Sequence, residues 1–497
     1  VIINAISCKQ RPFSYIIIYN MGKDDGNSIY SALGALGIAL AVKGGFFLFY
    51  QYSLNRHKFQ HKKISYSVAR PALEYSPGAK KVLVTGGCGF LGRHIVSALL
   101  QKFGSKINVY VFDACPPPAN PDSRVTYIRG DLTSYTHVEM AVTKAAVVIH
   151  AGALVHLANV TAEKVGEVIE QGTKNVVEAC LEKEVPSIVY TSSAIVNLPN
   201  DRVITDPVAE SDLVTEETAV GQYAISKLRA EKLVTHVDCH VLHTITLRPG
   251  GIYGLGDRFL VDGLIAGQPF VGSGLHQTPM VWVEDAARAH VIATEKLLRF
   301  QELKAKALGP ILGVRKESTV EAVSTPTAAV ATAASTSVSS TPNPLSTEIA
   351  SAVSASMGMD LLTLEEREEM QRMKVEVFGK SFLITNDSVR DPLVYREFMG
   401  GKPIPEPVQL PALNPWSMPY TKSVSLSLMK KLAAVNTTSY TWTGYCPLPI
   451  ALTPETMRIA SMPWPCCSEA ARKALGWTST PWREVAETLV QQKRQEK

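Results

Sequence analysis

The chain has 497 residues, enough for two or three domains and a sizeable core. Its formal net charge of +5 is small for that length, and no basic stripe interleaved with aromatics appears, which argues against a nucleic-acid binder. Hydrophobic residues make up 46% and mean hydropathy is +0.05, which suits a membrane segment attached to a globular body.

Residues 1–28 read as an N-terminal extension. From Ile29 to Tyr50 runs an apolar stretch of bilayer-spanning length, at about 20 residues, so an N-terminal transmembrane helix is expected over 29–52. Its one charge, Lys43, lies close enough to the far end to snorkel. Arg56, Lys58, Lys62 and Lys63 follow it, whereas Lys23, Asp24 and Asp25 nearly cancel on the other side. By the positive-inside tendency the body faces the cytosol, behind a basic linker over 53–79.

A globular unit begins near Lys80. The stretch Lys81 to Val96, KVLVTGGCGFLGRHIV, reads as a buried strand (Val82, Leu83, Val84), a glycine turn and the first turns of a helix. Gly86, Gly89 and Gly92 stand three apart, a wider variant of the dinucleotide fingerprint. Such a turn lets backbone approach a phosphate, while the helix starting near Phe90 aims free N–H groups at it.

A second strand, Ile107 to Phe112, ends in Asp113. An acid there accepts hydrogen bonds from the adenosine ribose and repels a 2′-phosphate, favouring NAD over NADP; the bland alternative is a loop cap before PPPANP. A third strand, Val125 to Ile128, leads to Gly130-Asp131-Leu132, where Asp131 either reaches the adenine or caps the next helix. A fourth, Ala146 to His150, runs into Ala151-Gly152-Ala153, small enough to let a cofactor lie across the strand ends. A helix through Thr173 to Lys183 and a fifth strand, Ser187 to Thr191, complete an alternation that argues for a parallel, doubly wound α/β sheet.

The fifth strand ends in Tyr190-Thr191-Ser192-Ser193, and some distance on a helical stretch carries Tyr223-Ala224-Ile225-Ser226-Lys227. Tyr and Lys four apart share a helix face. A lysine ammonium beside a phenol favours the phenolate and makes tyrosine a usable base, and a serine hydroxyl can hold a substrate oxygen in line with it. Together they form a proton relay for alcohol–ketone interconversion. The eight cysteines (Cys8, Cys88, Cys115, Cys180, Cys239, Cys446, Cys466, Cys467) include no C-x-x-C pair, so neither a disulfide framework nor a metal site is expected.

On these segments the sequence resembles the extended short-chain dehydrogenases. Within them it is similar to the 3β-hydroxysteroid dehydrogenase group, which includes the sterol-4α-carboxylate 3-dehydrogenases (decarboxylating). The matching pieces are TGGCGFLGRHIV, GDL, QGTKNVVEAC, VYTSSAIV, QYAISKLRAEKLV, TLRPGGIYGLGDRFL, VWVEDAARAHVIAT, GKSFLITND and ARKALGW. The resemblance implies a Rossmann-type NAD-binding domain over 80–250 and a smaller C-terminal substrate domain over 251–497. It implies NAD, with NADP as the alternative cofactor, and a sterol or steroid substrate oxidised at its 3β-hydroxyl. Catalysis would fall to Tyr223, Lys227 and Ser193, with Ser192 in reserve. The cofactor would be held by Gly86, Gly89, Phe90, Leu91, Gly92, Asp113, Asp131, Leu132, Ala151 and Pro249, together with Tyr223 and Lys227. It is compatible with a homodimer and with the endoplasmic reticulum membrane as location. The rival readings are a 3β-hydroxysteroid dehydrogenase/isomerase, a nucleotide-sugar epimerase, and a non-catalytic scaffold binding nucleotide or lipid.

Two departures stand out. Relatives commonly carry Asn three residues ahead of the glycine of QGT, where this chain has Ile169. The stretch from about Ser318 to Met357, rich in Ala, Ser, Thr and Pro, is expected to be a disordered insertion, after which LLTLEEREEMQRMKVEVF forms a helix that rejoins the fold. Trp442, Tyr445, Trp464, Trp477 and Trp482 are candidates for bilayer contact, or for core and pocket lining.

Overall fold

The structure, a computed structural model, describes residues 64–69, 76, 78–155, 160–201, 204, 206–257, 279–316, 361–386, 434–435 and 464–495. The chain divides into two compact units, and the first (Val1–Gln60 with Trp442–Tyr445) lies outside the described residues. So do the expected anchor at 29–52, most of the basic linker and the insertion at 318–357. Among the described residues no helix is long and apolar enough to cross a membrane.

In chain order the second unit opens with β1 (Ser67–Ala69), β2 (Lys80–Thr85), α1 (Phe90–Phe103), β3 (Ile107–Asp113), β4 (Val125–Arg129), α2 (Tyr135–Val142) and β5 (Ala145–His150). Next come α3 (Ala162–Gly166), a π-helical turn (Glu167–Gln171), α4 (Gly172–Glu182), β6 (Ser187–Thr191), α5 (Gly221–His236) and β7 (His243–Pro249). The remainder comprises β8 (Gly251–Tyr253), β9 (Met280–Trp282), α6 (Val283–Lys316), α7 (Leu364–Glu376), β10 (Lys380–Ile384) and α8 (Trp482–Gln495).

Eight strands form one sheet in the order β1-β4-β3-β2-β5-β6-β7-β10, parallel throughout except for β1. From β2 the chain winds outward in one direction through β3 and β4, then in the other through β5, β6 and β7. The reversal at β2/β5 is the crevice where open α/β sheets bind ligands, beyond the carboxyl ends of the strands.

A sheet covered on both faces needs strands apolar on both sides, and Val82, Leu83 and Val84 are all fully buried. Their alternation sorts them into two cores. Val82 and Val84 join Ile95 and Leu99 of α1 and Leu297 of α6 on one face; Leu83 joins Val176 and Val177 of α4 and Val234 of α5 on the other. Ile169 packs into this second core at the π-helical turn.

The VWVEDAARAH segment forms β9 and the start of the 34-residue α6. Asp285 in its first turn is fully buried and holds the C-terminal segment: its carboxylate accepts from Thr480 N and Oγ1, both at 2.7 Å, and its backbone carbonyl accepts from Trp477 Nε1 at 2.9 Å. Trp477 and Trp464 are core residues, which leaves neither for the bilayer; Trp442 and Tyr445 lie outside the described residues.

The helix expected after the insertion is α7. It starts at a capping box between Thr363 and Glu366. It delivers β10, which pairs in parallel with β7 from Lys380↔Ile245 to Ile384↔Pro249. The sheet therefore also takes a strand from well beyond residue 250.

Candidate functional site

The glycine turn sits where β2 meets α1. Gly86 has φ +70°, and a Cβ there would lie 2.7 Å from the Cα of Gly152, so the ends of β2 and β5 meet backbone to backbone. A Cβ on Gly92 would lie 2.0 Å from the carbonyl oxygen of Gly86, so only glycine lets α1 start this close to the turn. Gly89 is the N-cap of α1 and supplies no side-chain cap, which leaves the first-turn N–H groups facing the crevice mouth.

Asp113 ends β3, its carboxylate held by the backbone N–H groups of Cys88 (3.0 Å) and Cys115 (2.9 Å). Burial, then Asp113, pushes the Cys88 thiol up to about 12, so it stays neutral. Asp131 accepts from Thr133 N and Oγ1 (2.9 and 2.8 Å), the turn-capping arrangement ahead of α2. Leu132 packs under Gly152, whose N–H donates to Thr85 Oγ1 at 3.0 Å beside the half-buried Ala151. Pro249 is the last residue of β7. A side-chain-free cradle, an uncapped helix start and an anchored carboxylate one strand away fit a dinucleotide such as NAD. Asp113→Ala is expected to weaken NAD and reduce its advantage over NADP by about 1–3 kcal/mol. Dissociation constants for both dinucleotides check this, and an unchanged ratio would place Asp113 outside the ribose site.

Across the crevice, β6 ends beside α5. Three turns of one α5 face meet three consecutive residues of the strand end. The Tyr223 phenol lies against the Ser193 hydroxyl. Lys227 Nζ donates to the Thr191 carbonyl at 2.7 Å and stands 5.1 Å from the Tyr190 ring centroid. Glu231 accepts from Ser192 Oγ at 2.5 Å.

Ser193 remains half-buried and caps the following turn through Ile195 N (3.3 Å), whereas Ser192 is buried and engaged by Glu231. Of the two serines, Ser193 is the one beside the phenol.

Burial is the dominant electrostatic influence here. It pushes Tyr223 up to about 12, against a smaller downward pull from Ser193, and it lowers Lys227 to about 7, against an upward pull from Glu231. The expected lowering of the phenol by Lys227 is not what this geometry produces, because the amine is itself stripped of water and turned toward Thr191 and Tyr190. The ammonium is instead felt by His150, which burial and then Lys227 lower to about 3.

Several flanking residues were not singled out from sequence. His150 bridges Thr85 Oγ1 (2.7 Å) and Thr173 Oγ1 (3.0 Å), linking β2, β5 and α4 beneath the crevice. His290 Nδ1 meets the Ala286 carbonyl at 2.7 Å, so its Nε2 accepts from Thr191 Oγ1 at 2.8 Å. Arg248 and Glu231 form a buried ion pair at 2.5 Å. Only Glu231 left a signal, standing four residues after Lys227 on the same helix face. A separate cleft of about 990 Å³ opens among Lys80, Lys106, Ile107 and Arg372. It lies at the amino ends of the strands, away from this chemistry.

Fold and site together define a doubly wound, dinucleotide-binding protein with a Tyr-x-x-x-Lys helix. Residues 83–308 match the model of the 3-beta hydroxysteroid dehydrogenase/isomerase family. The human 3 beta-hydroxysteroid dehydrogenase type 7 is 36% identical over 233 residues, 43% of this chain and 63% of that protein. The Candida albicans sterol-4-alpha-carboxylate 3-dehydrogenase ERG26, decarboxylating, is 34% identical over 239 residues, 45% of this chain and 67% of that protein. The chain thus spans about two thirds of the length of the curated relatives it matches. The crystal structure of gox2253 aligns with TM-score 0.51 and 19% identity over 84% of this chain and 98% of that one, a likeness of fold alone. The chain belongs to the 3-beta hydroxysteroid dehydrogenase/isomerase family.

Proposed function

We propose that this protein oxidises the 3β-hydroxyl of a sterol, with a 4α-carboxysterol as the substrate. The observation that carries this reading is the convergence of Ser193, Tyr223 and Lys227 at the end of β6, across the crevice from the glycine cradle. NAD, when bound, supplies the hydride acceptor. Gly86, Gly89, Gly92, Asp113 and Lys227 would hold it, together with Phe90, Leu91, Asp131, Leu132, Ala151 and Pro249 at the strand ends.

Ser193 orients the substrate hydroxyl toward the phenol of Tyr223, which takes its proton as the C-3 hydrogen leaves. Burial pushes the phenol up to about 12, so only a small phenolate fraction serves at neutral pH, and the Lys227 ammonium is assigned to holding the cofactor and not to lowering that value. In a 4α-carboxylated substrate, oxidation at C-3 yields a β-keto acid. Such an acid loses carbon dioxide as the bond between C-4 and the carboxylate breaks and its electron pair passes into the C-3 ketone, giving an enolate that takes a proton from solvent at C-4, so no further residue is required. The relatives named as decarboxylating sterol-4-alpha-carboxylate 3-dehydrogenases support this substrate class over a steroid that is only isomerised.

The reading includes the anchor at 29–52, with the catalytic unit facing the cytosol at the endoplasmic reticulum. It also includes a substrate-binding side built from residues within 251–497. The support for both is the sequence pattern; a lipid-partitioned substrate also makes membrane attachment useful. The test is stoichiometry. Membranes carrying the full chain, given NAD and a 4α-carboxysterol, should release one carbon dioxide per reduced cofactor, with the protein retained in the pellet after alkaline carbonate. Reduced cofactor without carbon dioxide, accompanied by a conjugated enone from a Δ5 steroid, would favour the isomerase reading, and release by carbonate would contradict the anchor.

A further inference from the structure

Glu231 is buried, where an unpaired carboxylate is strongly disfavoured, and both of its oxygens are hydrogen-bonded. Arg248 Nε reaches both of its oxygens (2.9 and 3.1 Å), Arg248 Nη2 reaches Oε1 at 2.5 Å, and Ser381 of β10 donates to Oε1 at 2.7 Å. That leaves Oε2 aimed at Ser192 Oγ. Arg248 is fixed in turn by the Asn197 side chain (3.3 Å) and the Glu210 carbonyl (2.6 Å). The carboxylate therefore ties together β7, β10, α5 and the residue between Thr191 and Ser193.

This is an expensive arrangement for stability alone, because a buried ion pair seldom outperforms well-packed apolar residues of the same volume. Its location is informative. Lys227 and Glu231, one turn apart on α5, grip consecutive residues, the last of β6 by the Thr191 carbonyl and the one after it by the Ser192 hydroxyl. The next residue is Ser193, and the preceding turn of the same face carries Tyr223.

We propose that Glu231, clamped by Arg248, is a positioning residue of the dehydrogenase site: it holds the end of β6 so that the Ser193 hydroxyl, the Tyr223 phenol and the Lys227 amine keep a common register. The inference rests on the function proposed above and assigns the ion pair a role in it. A second consequence is electrostatic. The groups facing Lys227 are Glu231 and Tyr223 from its own helix, Tyr190 from β6 and His150 from β5, with Arg248 of β7 behind Glu231. Of these only Glu231 brings negative charge, and it favours the ammonium against burial.

Lys227 is charged below its pKa of about 7 and Tyr223 ionises only near 12, so the fraction of enzyme holding both phenolate and ammonium rises tenfold per pH unit up to about 7 and is level above it. Removing Glu231 lowers the Lys227 pKa, which moves that break to lower pH and lowers the plateau. The affinity for NAD, which uses the ammonium, should likewise begin to weaken at lower pH.

The experiment compares Glu231→Gln, Ser192→Ala and the apolar double variant Glu231→Met/Arg248→Met with the parent, each checked for cooperative thermal unfolding. Glu231→Gln strands the Arg248 charge and risks the fold; Ser192→Ala cuts only the tie to β6, and the double variant leaves no charge unpaired. Turnover is expected to fall by about 10- to 100-fold in Ser192→Ala and the double variant with little change in KM for sterol, the scale of a misplacement near 1 Å. In Glu231→Gln, the pH at which NAD affinity starts to weaken, read by calorimetry, should drop. Folded variants with turnover within twofold of the parent and an unmoved break would overturn the proposal. A parent that binds NAD but oxidises no 3β-hydroxysterol would overturn the proposed function instead, and the calorimetric break would still decide whether Glu231 governs Lys227.

Discussion

Tyr223→Phe is expected to lower turnover by about 10²–10⁴-fold while leaving NAD affinity nearly unchanged, the usual cost of removing a general base. The substitution keeps the ring, which packs at the border of two core clusters, and deletes only the hydroxyl that lies against Ser193. Fold and cofactor cradle should therefore survive, and the loss should appear in kcat. The pH dependence supplies a second signature. In the parent, kcat/KM should rise with pH toward about 7 and then level, as the phenolate gains population and the Lys227 ammonium loses it. Without a phenol there is no such rise, so the residual rate of the variant should be flat below neutrality. Stopped-flow or steady-state assays across pH 5–9 read both features. A variant within a few-fold of the parent would remove Tyr223 from the proton transfer.

Gly92→Ala should be equally damaging at the other wall of the crevice, for a steric reason. A Cβ at that position lies 2.0 Å from the Gly86 carbonyl oxygen and 2.6 Å from Gly87 Cα, and both neighbours are backbone with no rotamer to yield. The added methyl must either separate α1 from the turn or distort the turn itself, and overpacking of this kind costs about 1–3 kcal/mol. If the turn moves, the N–H groups at the start of α1 no longer converge, and about 3 kcal/mol lost from binding corresponds to ~10²-fold in Kd. Calorimetry with NAD and a thermal melt separate the two routes. Affinity and melting temperature both equal to the parent's would show that α1 can back away freely, contrary to its packing against α6.

Most of the sheet could be read from the sequence because its strands are short apolar runs, each followed by punctuation. Val82 to Val84 precede three spaced glycines, and Ala146 to His150 precede a small-residue turn. The parallel order then follows from the alternation with helices. What escaped was structure dependent on distant partners. β1 is three exposed residues that exist as a strand only by pairing with β4. β10 is separated from β7 by more than a hundred residues, and nothing local in KSFLI reveals that it pairs there. Tyr223, Lys227 and Ser193 were legible because their spacing follows one helix turn and one strand end. The electrostatics were not, since sequence proximity suggested that Lys227 lowers the phenol pKa. Burial, which only the fold determines, pushes the phenol up and the amine down. Asp285 looked like part of a family segment; its work is to hold Trp477 and Thr480, nearly two hundred residues away.

The proposed reaction takes a hydride from C-3 of a 3β-hydroxysterol at the Ser193–Tyr223–Lys227 site. It is tested most directly with a 4α-carboxysterol deuterated at the 3α position, incubated with NAD and the full chain in membranes. Mass spectrometry of the recovered cofactor should find one deuterium in each reduced molecule, and the signal should vanish in Tyr223→Phe over the same interval. Reduced cofactor without deuterium, or deuterium transfer undiminished in the variant, would contradict the account.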